Sequence, residues 1–291
     1  MSTASGSNYY LPHVARWPIV GSIGLFTMLG GFSLKLIGVG AGGFFMAIGA
    51  LIIIGMMFGW FGEVIREGLQ GLYNDQVERS FRWGMIWFIA SEVMFFACFF
   101  GSLFYIRMYV IPWLGGEGTT GVGEFTNMLW PDFAPEWPTN GPARIGGEFE
   151  PMGAWGIPAL NTLILLSSGV TVTWAHWGLL KNNRPQFVKG LIATIALGFT
   201  FVLFQAYEYY HAYTEMGLTL GAGIYGSTFF MLTGFHGMHV TIGAIFLTVV
   251  LLRALRGHFD AEHHFAFEAA AWYWHFVDVV WLGLFIFVYW L

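Results

Sequence analysis

Seven apolar stretches, at about 17–38, 43–67, 80–113, 155–180, 186–212, 223–256 and 265–290, each reach the ~20 residues a helix needs to cross bilayer hydrocarbon. Backbone polar groups in lipid must be satisfied within their own segment, so runs of this kind are read as helices. The expected fold is therefore all-α: a polytopic membrane protein with seven transmembrane helices. The third and sixth runs, near 34 residues, must tilt or project beyond the bilayer. Composition agrees, since 56% of the 291 residues are hydrophobic and only 10% charged, where a water-soluble domain is about one quarter charged. Fourteen Trp and twelve Tyr cluster toward the ends of the runs (Trp17, Trp60, Trp83, Trp113, Trp155, Trp290), as in an interfacial aromatic belt.

Charge between the runs orients the chain. Arg16, Arg66, Arg79, Arg82, Lys181, Arg184, Lys189, Arg253 and Arg256 fall on one side, and only Lys35, Arg107 and Arg144 on the other. The positive-inside rule then places the amino terminus in the cytoplasm and the carboxyl terminus outside. The start, MSTASGSNYYLPHVARWP, lacks the basic and small-residue signature of a cleaved signal, so the first run is expected to be retained. A net charge of −5 is no nucleic-acid footprint, and the single Cys98 excludes an intrachain disulfide or a cysteine-based metal centre. The connection at about 114–154 is rich in Gly, Pro and acidic residues, including Glu117, Glu124, Asp132, Glu136, Glu148 and Glu150. It is either packed on the membrane face or a merely solvated connector. Glycines crowd the first two runs (Gly30, Gly31, Gly38, Gly42, Gly43), with Gly55 and Gly59 at GxxxG spacing.

Ionisable residues inside the runs cost a few kcal/mol or more unless they find partners, so each is a functional candidate. Glu92 lies ten residues, about 15 Å, beyond Arg82 and hence near mid-membrane. It either handles protons or is a protonated carboxyl bonded to a neighbouring helix. Glu208 shares a face with His211, and His236 with His239, each pair at i, i+3. Two His at that spacing could ligate a metal or haem, with His176 and His275 as possible partners on other helices; interhelical hydrogen bonds and ring packing are the alternative, favoured because the His are spread singly rather than as two clear ligand sets. In the last run, Glu268 and His275 fall within roughly 20° of each other and Asp278 about 80° away, so one helix face holds all three and must pack on protein. Two run ends, WFGEVIRE with Trp60, Arg66 and Glu67, and RALRGHF with Arg253, Arg256 and His258, set basic donors beside an apolar wall on the cytoplasmic side. Such ends bind anionic phospholipid headgroups, or else merely anchor topology by snorkelling.

The strings RWGMIWFIASEVMFF, PALNTLILLSSGVTVTWAH, IYGSTFFMLTGFHGMHVTIGAIFL and HHFAFEAAAWYWHFVDVVWL closely resemble subunit III of the haem–copper cytochrome c oxidases. That resemblance implies a two-helix plus five-helix V-shaped arrangement: residues 1–70 as tail and helices 1–2, and residues 71–291 as the five-helix bundle with a periplasmic loop at about 114–154. It implies a non-redox subunit of an aa3-type, proton-pumping oxidase that stabilises catalytic subunit I, binds structural phospholipid and supports proton uptake during electron transfer from cytochrome c to O₂. Haem a and copper are then held by partner subunits I and II, with no catalytic residue and no metal in this chain, and cytochrome c is met only through the complex. By position, Glu92 matches the family's buried carbodiimide-reactive carboxyl. Arg66 and Glu67 match the lipid-contacting end of helix 2, and Arg253 and His258 the headgroup contacts after helix 6. Glu208, His236, His239, Glu268, His275 and Asp278 fall to helix packing. Tyr73 stands where the family often has His. A quinol oxidase subunit III resembles the last five helices but generally lacks the first two, and a proton-conducting chain centred on Glu92 is a further alternative. The polar start and long loop point to a bacterial inner membrane.

Overall fold

The computed structural model describes residues 10, 16–117 and 122–291. Most of the polar start, expected to lack a cleaved signal, lies outside the described residues, as do residues 118–121 of the acidic connection; the Glu124 side chain is likewise not described. The described chain is all helical. Seven helices are long and apolar enough to span a membrane: α1 (Trp17–Leu36), α2 (Gly42–Leu69), α3 (Asp75–Leu114), α5 (Ile157–Leu180), α6 (Arg184–Thr214), α7 (Gly223–Leu255) and α8 (Phe265–Trp290). A short α4 (Val122–Leu129) lies in the connection between α3 and α5.

Local chemistry sets these boundaries. Asn74 Oδ1 accepts from the Val77 N–H (3.0 Å), an N-cap that starts α3 in polar sequence, ahead of its apolar run. Asn183 caps α6 in the same way through Gln186 N–H (3.3 Å), with proline in the first turn, where no intrahelical donor is required. Near its far end α3 passes through a π-helical stretch, Ile106–Val110, just ahead of Pro112, whose missing N–H cannot continue the i to i−4 ladder.

By contact density the chain forms two units, Met1–Trp83 and Gly84–Leu291. In the first, α1 and α2 pack closely through glycines seven residues apart on each helix. Gly24 and Gly31 lie against α2, and Gly42 and Gly49 against α1, so tightly that a Cβ on Gly31 would stand 2.5 Å from the Met46 nitrogen. Lipid offers no hydrophobic drive between helices, and close backbone approach supplies dispersion contact in its place. The GxxxG pair does not act as a pair: Gly55 faces open space, and Gly59 receives the Trp17 ring.

In the second unit α8 is the most buried helix, and Trp274 and Trp281 are its axis, both fully buried. Trp274 Nε1 donates to Ser168 Oγ (2.8 Å) and Trp281 Nε1 to Thr162 Oγ1 (2.9 Å), two latches onto α5. Each is worth about 0.6–1.7 kcal/mol in a membrane interior. The Trp274 ring fits between Gly198 of α6 and Gly243 of α7, so one indole joins four helices. The connection before α5 packs rather than floats. Glu150 N–H donates to Met216 O (2.9 Å), Tyr225 N–H to Thr139 O (3.2 Å), and Phe149 stacks on Tyr225 at 5.3 Å. Arg107 of α3 donates to the carbonyls of Phe287 (3.2 Å) and Leu291 (2.6 Å), and its guanidinium lies 5.3 Å over the Trp137 ring.

Candidate functional site

The mid-membrane carboxyl on α3 has a partner on α7. Glu92 Oε2 stands 2.9 Å from His239 Nε2, with side-chain exposures of 22% and 7%. His239 Nδ1 lies 2.6 Å from Phe235 O, and a carbonyl can only accept, so Nδ1 carries a proton. Nε2 then shares a single proton with Glu92: either the carboxylic acid donates to Nε2, or an imidazolium donates to a carboxylate. The pair is neutral overall in both cases. Phe96 (5.0 Å), Phe95 (6.0 Å), Phe276 (6.4 Å) and Tyr273 (6.4 Å) surround the imidazole, and the Tyr273 hydroxyl donates to His239 O (3.4 Å). Sequence reasoning flagged both residues without joining them; they are 147 positions apart.

His236 lies elsewhere. It is fully buried against Trp281 (5.1 Å) and Phe201 (5.7 Å), with neither ring nitrogen hydrogen-bonded. Its ring and that of His239 do not converge, and among the described residues no three His, Cys, Asp or Glu gather as a metal-ligand set. Glu208 is buried and accepts from the Tyr289 hydroxyl (2.7 Å). Beside it Gln205 Nε2 donates to Thr233 O (2.7 Å). The Thr233 hydroxyl donates to Phe229 O (2.7 Å), so Tyr209 is the donor in its 2.6 Å bond to Thr233. On α8 His275 Nδ1 stays 3.6 Å from Asp278 Oδ2, yet the three ionisable residues differ in burial. Asp278 is buried against Gly169 of α5, while His275 is half-exposed and Glu268 partly buried.

Both basic ends carry side-chain contacts. In the last turns of α2, Glu63 gathers Arg16 (3.7 Å), Arg66 (3.6 Å) and the Trp17 indole N–H. Glu67 accepts from the hydroxyls of Tyr10 (3.0 Å) and Tyr73 (2.7 Å). The bond to Glu67 is the main cause that raises the Tyr10 hydroxyl above the ordinary tyrosine range; for Tyr73 burial comes first and Glu67 second. Tyr73, the departure from the family pattern, thus serves Glu67 directly. Trp60 is exposed and stacks on Phe61 at 6.3 Å. Arg66 reaches no carboxylate beyond Glu63 among the described residues and is 64% exposed.

After α7, Arg253 lies 4.6 Å over the Phe259 ring, and its Nε is buried without a hydrogen-bond partner. Arg184, which sequence reasoning used only for topology, donates to the α7 carbonyls of Ala254 (3.0 Å) and Leu255 (2.9 Å). Its guanidinium lines a cavity of about 210 Å³ with Leu179, Phe187, Phe259 and Asp260. Desolvation first, and then Arg253 and Arg256, hold His258 below the ordinary imidazole range. Asp260 is held below the carboxylate range, chiefly by the His263 N–H (2.6 Å).

The sequence model described as Cytochrome c oxidase subunit III matches residues 7–131 and 125–291. This chain belongs to the cytochrome c oxidase subunit III family. Among its relatives, the cytochrome c oxidase subunit 3 of Drosophila melanogaster is 45% identical, over 100% of this chain and 99% of its own. Those of Carassius auratus and Pan troglodytes are each 41% identical, over 97% of this chain and 96% of theirs. The chain is thus a multi-pass membrane subunit of the cytochrome c oxidase complex, an oxidoreductase, and works with other oxidase subunits. The two matched segments meet at residues 125–131, inside the long connection.

Proposed function

We propose that this chain is the non-redox subunit III of an aa3-type oxidase, which braces catalytic subunit I, holds phospholipid at its cytoplasmic helix ends and supports sustained proton uptake. The observation that carries the lipid reading is the α7 end. Arg253 has a buried Nε with hydrogen-bonding capacity left over, Arg256 and His258 adjoin it, and a cavity beside Arg184 is walled by Leu179, Phe187, Ala254 and Phe259 together with Asn182 and Asp260. A phosphodiester supplies acceptors to such a cluster and its acyl chains meet the apolar wall. Trp60, Arg66 and Glu67 form the second headgroup contact on this reading. Haem a and copper belong to subunits I and II, and electrons pass from cytochrome c to O₂ through them.

The test is bound phospholipid, by mass spectrometry of purified oxidase. Arg253→Ala and Arg66→Ala lose lipid and shorten the turnover lifetime, with initial haem spectra unchanged; unaltered lipid content in both variants overturns the reading. Proton support through Glu92 is the second reading, favoured by the single shared proton on the Glu92–His239 bond. Glu92→Gln that pumps at the wild-type stoichiometry removes it. A cytoplasmic amino terminus follows from the asymmetry of Lys and Arg. Placement in a bacterial inner membrane rests on the polar start and long connection, while the relatives named above come from animals; membrane fractionation of the source cell checks it.

A further inference from the structure

The core of the second unit holds polar side chains that no protein group serves. Asn161 of α5 and His236 of α7 are fully buried, and neither polar atom of the amide nor either nitrogen of the ring has a hydrogen-bond partner. Glu208 of α6 is buried as well, with Oε1 bonded to the Tyr289 hydroxyl (2.7 Å) and Oε2 left over. Reassigning the groups does not complete them. Turning the amide over exchanges two unpartnered atoms, and either tautomer of the neutral imidazole leaves one N–H and one lone pair unserved. Their polar neighbours are by contrast complete: Gln205 and Tyr209 donate to Thr233, and the Trp281 indole donates to Thr162.

The three side chains gather round one indole. The Trp281 ring lies 5.1 Å from that of His236 and 5.8 Å from that of Tyr289, the partner of Glu208, and its Nε1 reaches Thr162, the residue after Asn161. α5 and α6 run antiparallel with Thr171 Oγ1 2.8 Å from Thr194 Oγ1, and that register, carried along both helices, brings Asn161 level with Phe204 and Gln205, one turn from Glu208. Gln205 in turn meets α7 at Thr233, one turn from His236. Buried polar groups are bonded to protein or to ordered water in nearly all folded proteins. The unserved set fixes what can complete it. It holds donors, Asn161 Nδ2 and one His236 N–H, together with acceptors, Asn161 Oδ1, the other His236 nitrogen and Glu208 Oε2. A cation serves none of the donors, an anion none of the acceptors, and an acyl chain neither. We propose that the core between α5, α6, α7 and α8 is a binding site for ordered water, hydrogen-bonded to Asn161, His236 and Glu208. The bound water joins three helices in one polar network beside Trp281, apart from the Glu92–His239 pair and from the basic helix ends, and it does not rest on the function proposed above.

The test is X-ray radiolysis of the intact oxidase, in which bound water is split into hydroxyl radicals that oxidise the side chains beside it, read by mass spectrometry. Trp281, fully buried, is the probe, and Trp155, 74% exposed, is the dose reference. Oxidation of Trp281 is expected in the unsubstituted enzyme and should fall several-fold in Asn161→Leu/His236→Phe, which replaces the polar groups by apolar ones, while oxidation of Trp155 stays the same. Trp281 that is not oxidised in the unsubstituted enzyme, or is oxidised equally in both, overturns the proposal. A measurement that needs no variant stands beside it: electron cryomicroscopy of the unsubstituted oxidase at a resolution that shows ordered water. Density within hydrogen-bond distance of Asn161, His236 and Glu208 Oε2 is expected. A dry core, direct bonds among the three side chains, or an ion held only by Asn161 Oδ1 and Glu208 Oε2 refutes the water site.

Discussion

Gly198→Ala should be among the most costly single-methyl additions in this protein. An ideal Cβ at Gly198 would stand 2.6 Å from Trp274 Cη2 and 2.9 Å from Cζ2, where carbon contacts ordinarily settle near ~3.5–4 Å. The ring would need to withdraw by about 1 Å. It cannot do so freely: Gly243 closes the opposite side, with Cε3 2.9 Å from the Cβ position there, and Nε1 is tied to Ser168 Oγ at 2.8 Å. Overpacking costs about 1–3 kcal/mol. A displaced indole also gives up an interhelical bond of about 0.6–1.7 kcal/mol, for an expected loss of about 2–4 kcal/mol. Gly101→Ala on α3, where nothing lies within 4 Å, is the control and should gain ~0.5–1 kcal/mol from helix propensity. The measurement is unfolding in bicelles by SDS titration, followed by tryptophan fluorescence and near-ultraviolet dichroism. Trp274→Phe removes the atoms that clash, so the double variant Gly198→Ala/Trp274→Phe should be more stable than the sum of the singles by about 1 kcal/mol or more. Equal stability of Gly198→Ala and Gly101→Ala, or strict additivity in the double variant, would refute the four-helix role of Trp274.

Three further outcomes follow from the sites. Glu92→Ala leaves His239 Nε2 buried without its partner and should cost about 1–3 kcal/mol, while Glu92→Gln, whose amide can donate to Nε2, should cost less than about 1 kcal/mol; thermal retention of the chain in oxidase measures both, and Gln as damaging as Ala sinks the shared-proton geometry. His258 sits below the ordinary imidazole range in the unliganded site, so a bound phosphate that raises it must take up a proton. Phospholipid affinity should therefore strengthen as pH falls through about 6.5 and level off above it; a titration flat between about pH 5 and 8 contradicts this. Arg107→Ala frees the Phe287 and Leu291 carbonyls and the Trp137 ring, so hydrogen exchange should quicken at both places, and unchanged exchange would show that Arg107 holds neither.

The spans were legible because length and apolarity are summed properties. All seven helices begin and end within a few residues of the apolar runs, and the largest difference, the start of α3 at Asp75, comes from the Asn74 cap carrying helix into the polar DQVER. Pair identity was not legible. Glycine spacing offered Gly55 and Gly59, yet the close approach uses Gly24 and Gly31 against Gly42 and Gly49, and only the rotation of each helix about its axis selects among such faces. Sequence spacing reports which residues share a face, and cannot report what stands opposite. Glu92 and His239 were each conspicuous as polar residues in apolar helices, and their bond depends on the register of α3 against α7, for which no local pattern codes. A seven-residue repeat of tryptophan on the last helix, Trp274 and Trp281, was the unused signal that could have marked the bundle axis.

The last helix shows why a shared face need not mean a shared environment. Glu268, His275 and Asp278 span about 80°, which is close to the width of the stripe by which a helix meets one neighbour. Although α8 is the most buried helix of its unit, it keeps one incompletely covered side, and the stripe crosses the edge of that side. Its inner border, Asp278, turns to Gly169, where the missing Cβ leaves room for a carboxylate, while His275, about 60° round the helix, stays at the surface. The wheel alone fixes the first fact, that the three are neighbours. Glycine on α5 fixes the second, since any larger residue at 169 would meet Asp278 Oδ2 and push the acid outward with its histidine. The inner half of the polar face of α8 therefore depends on a glycine of α5.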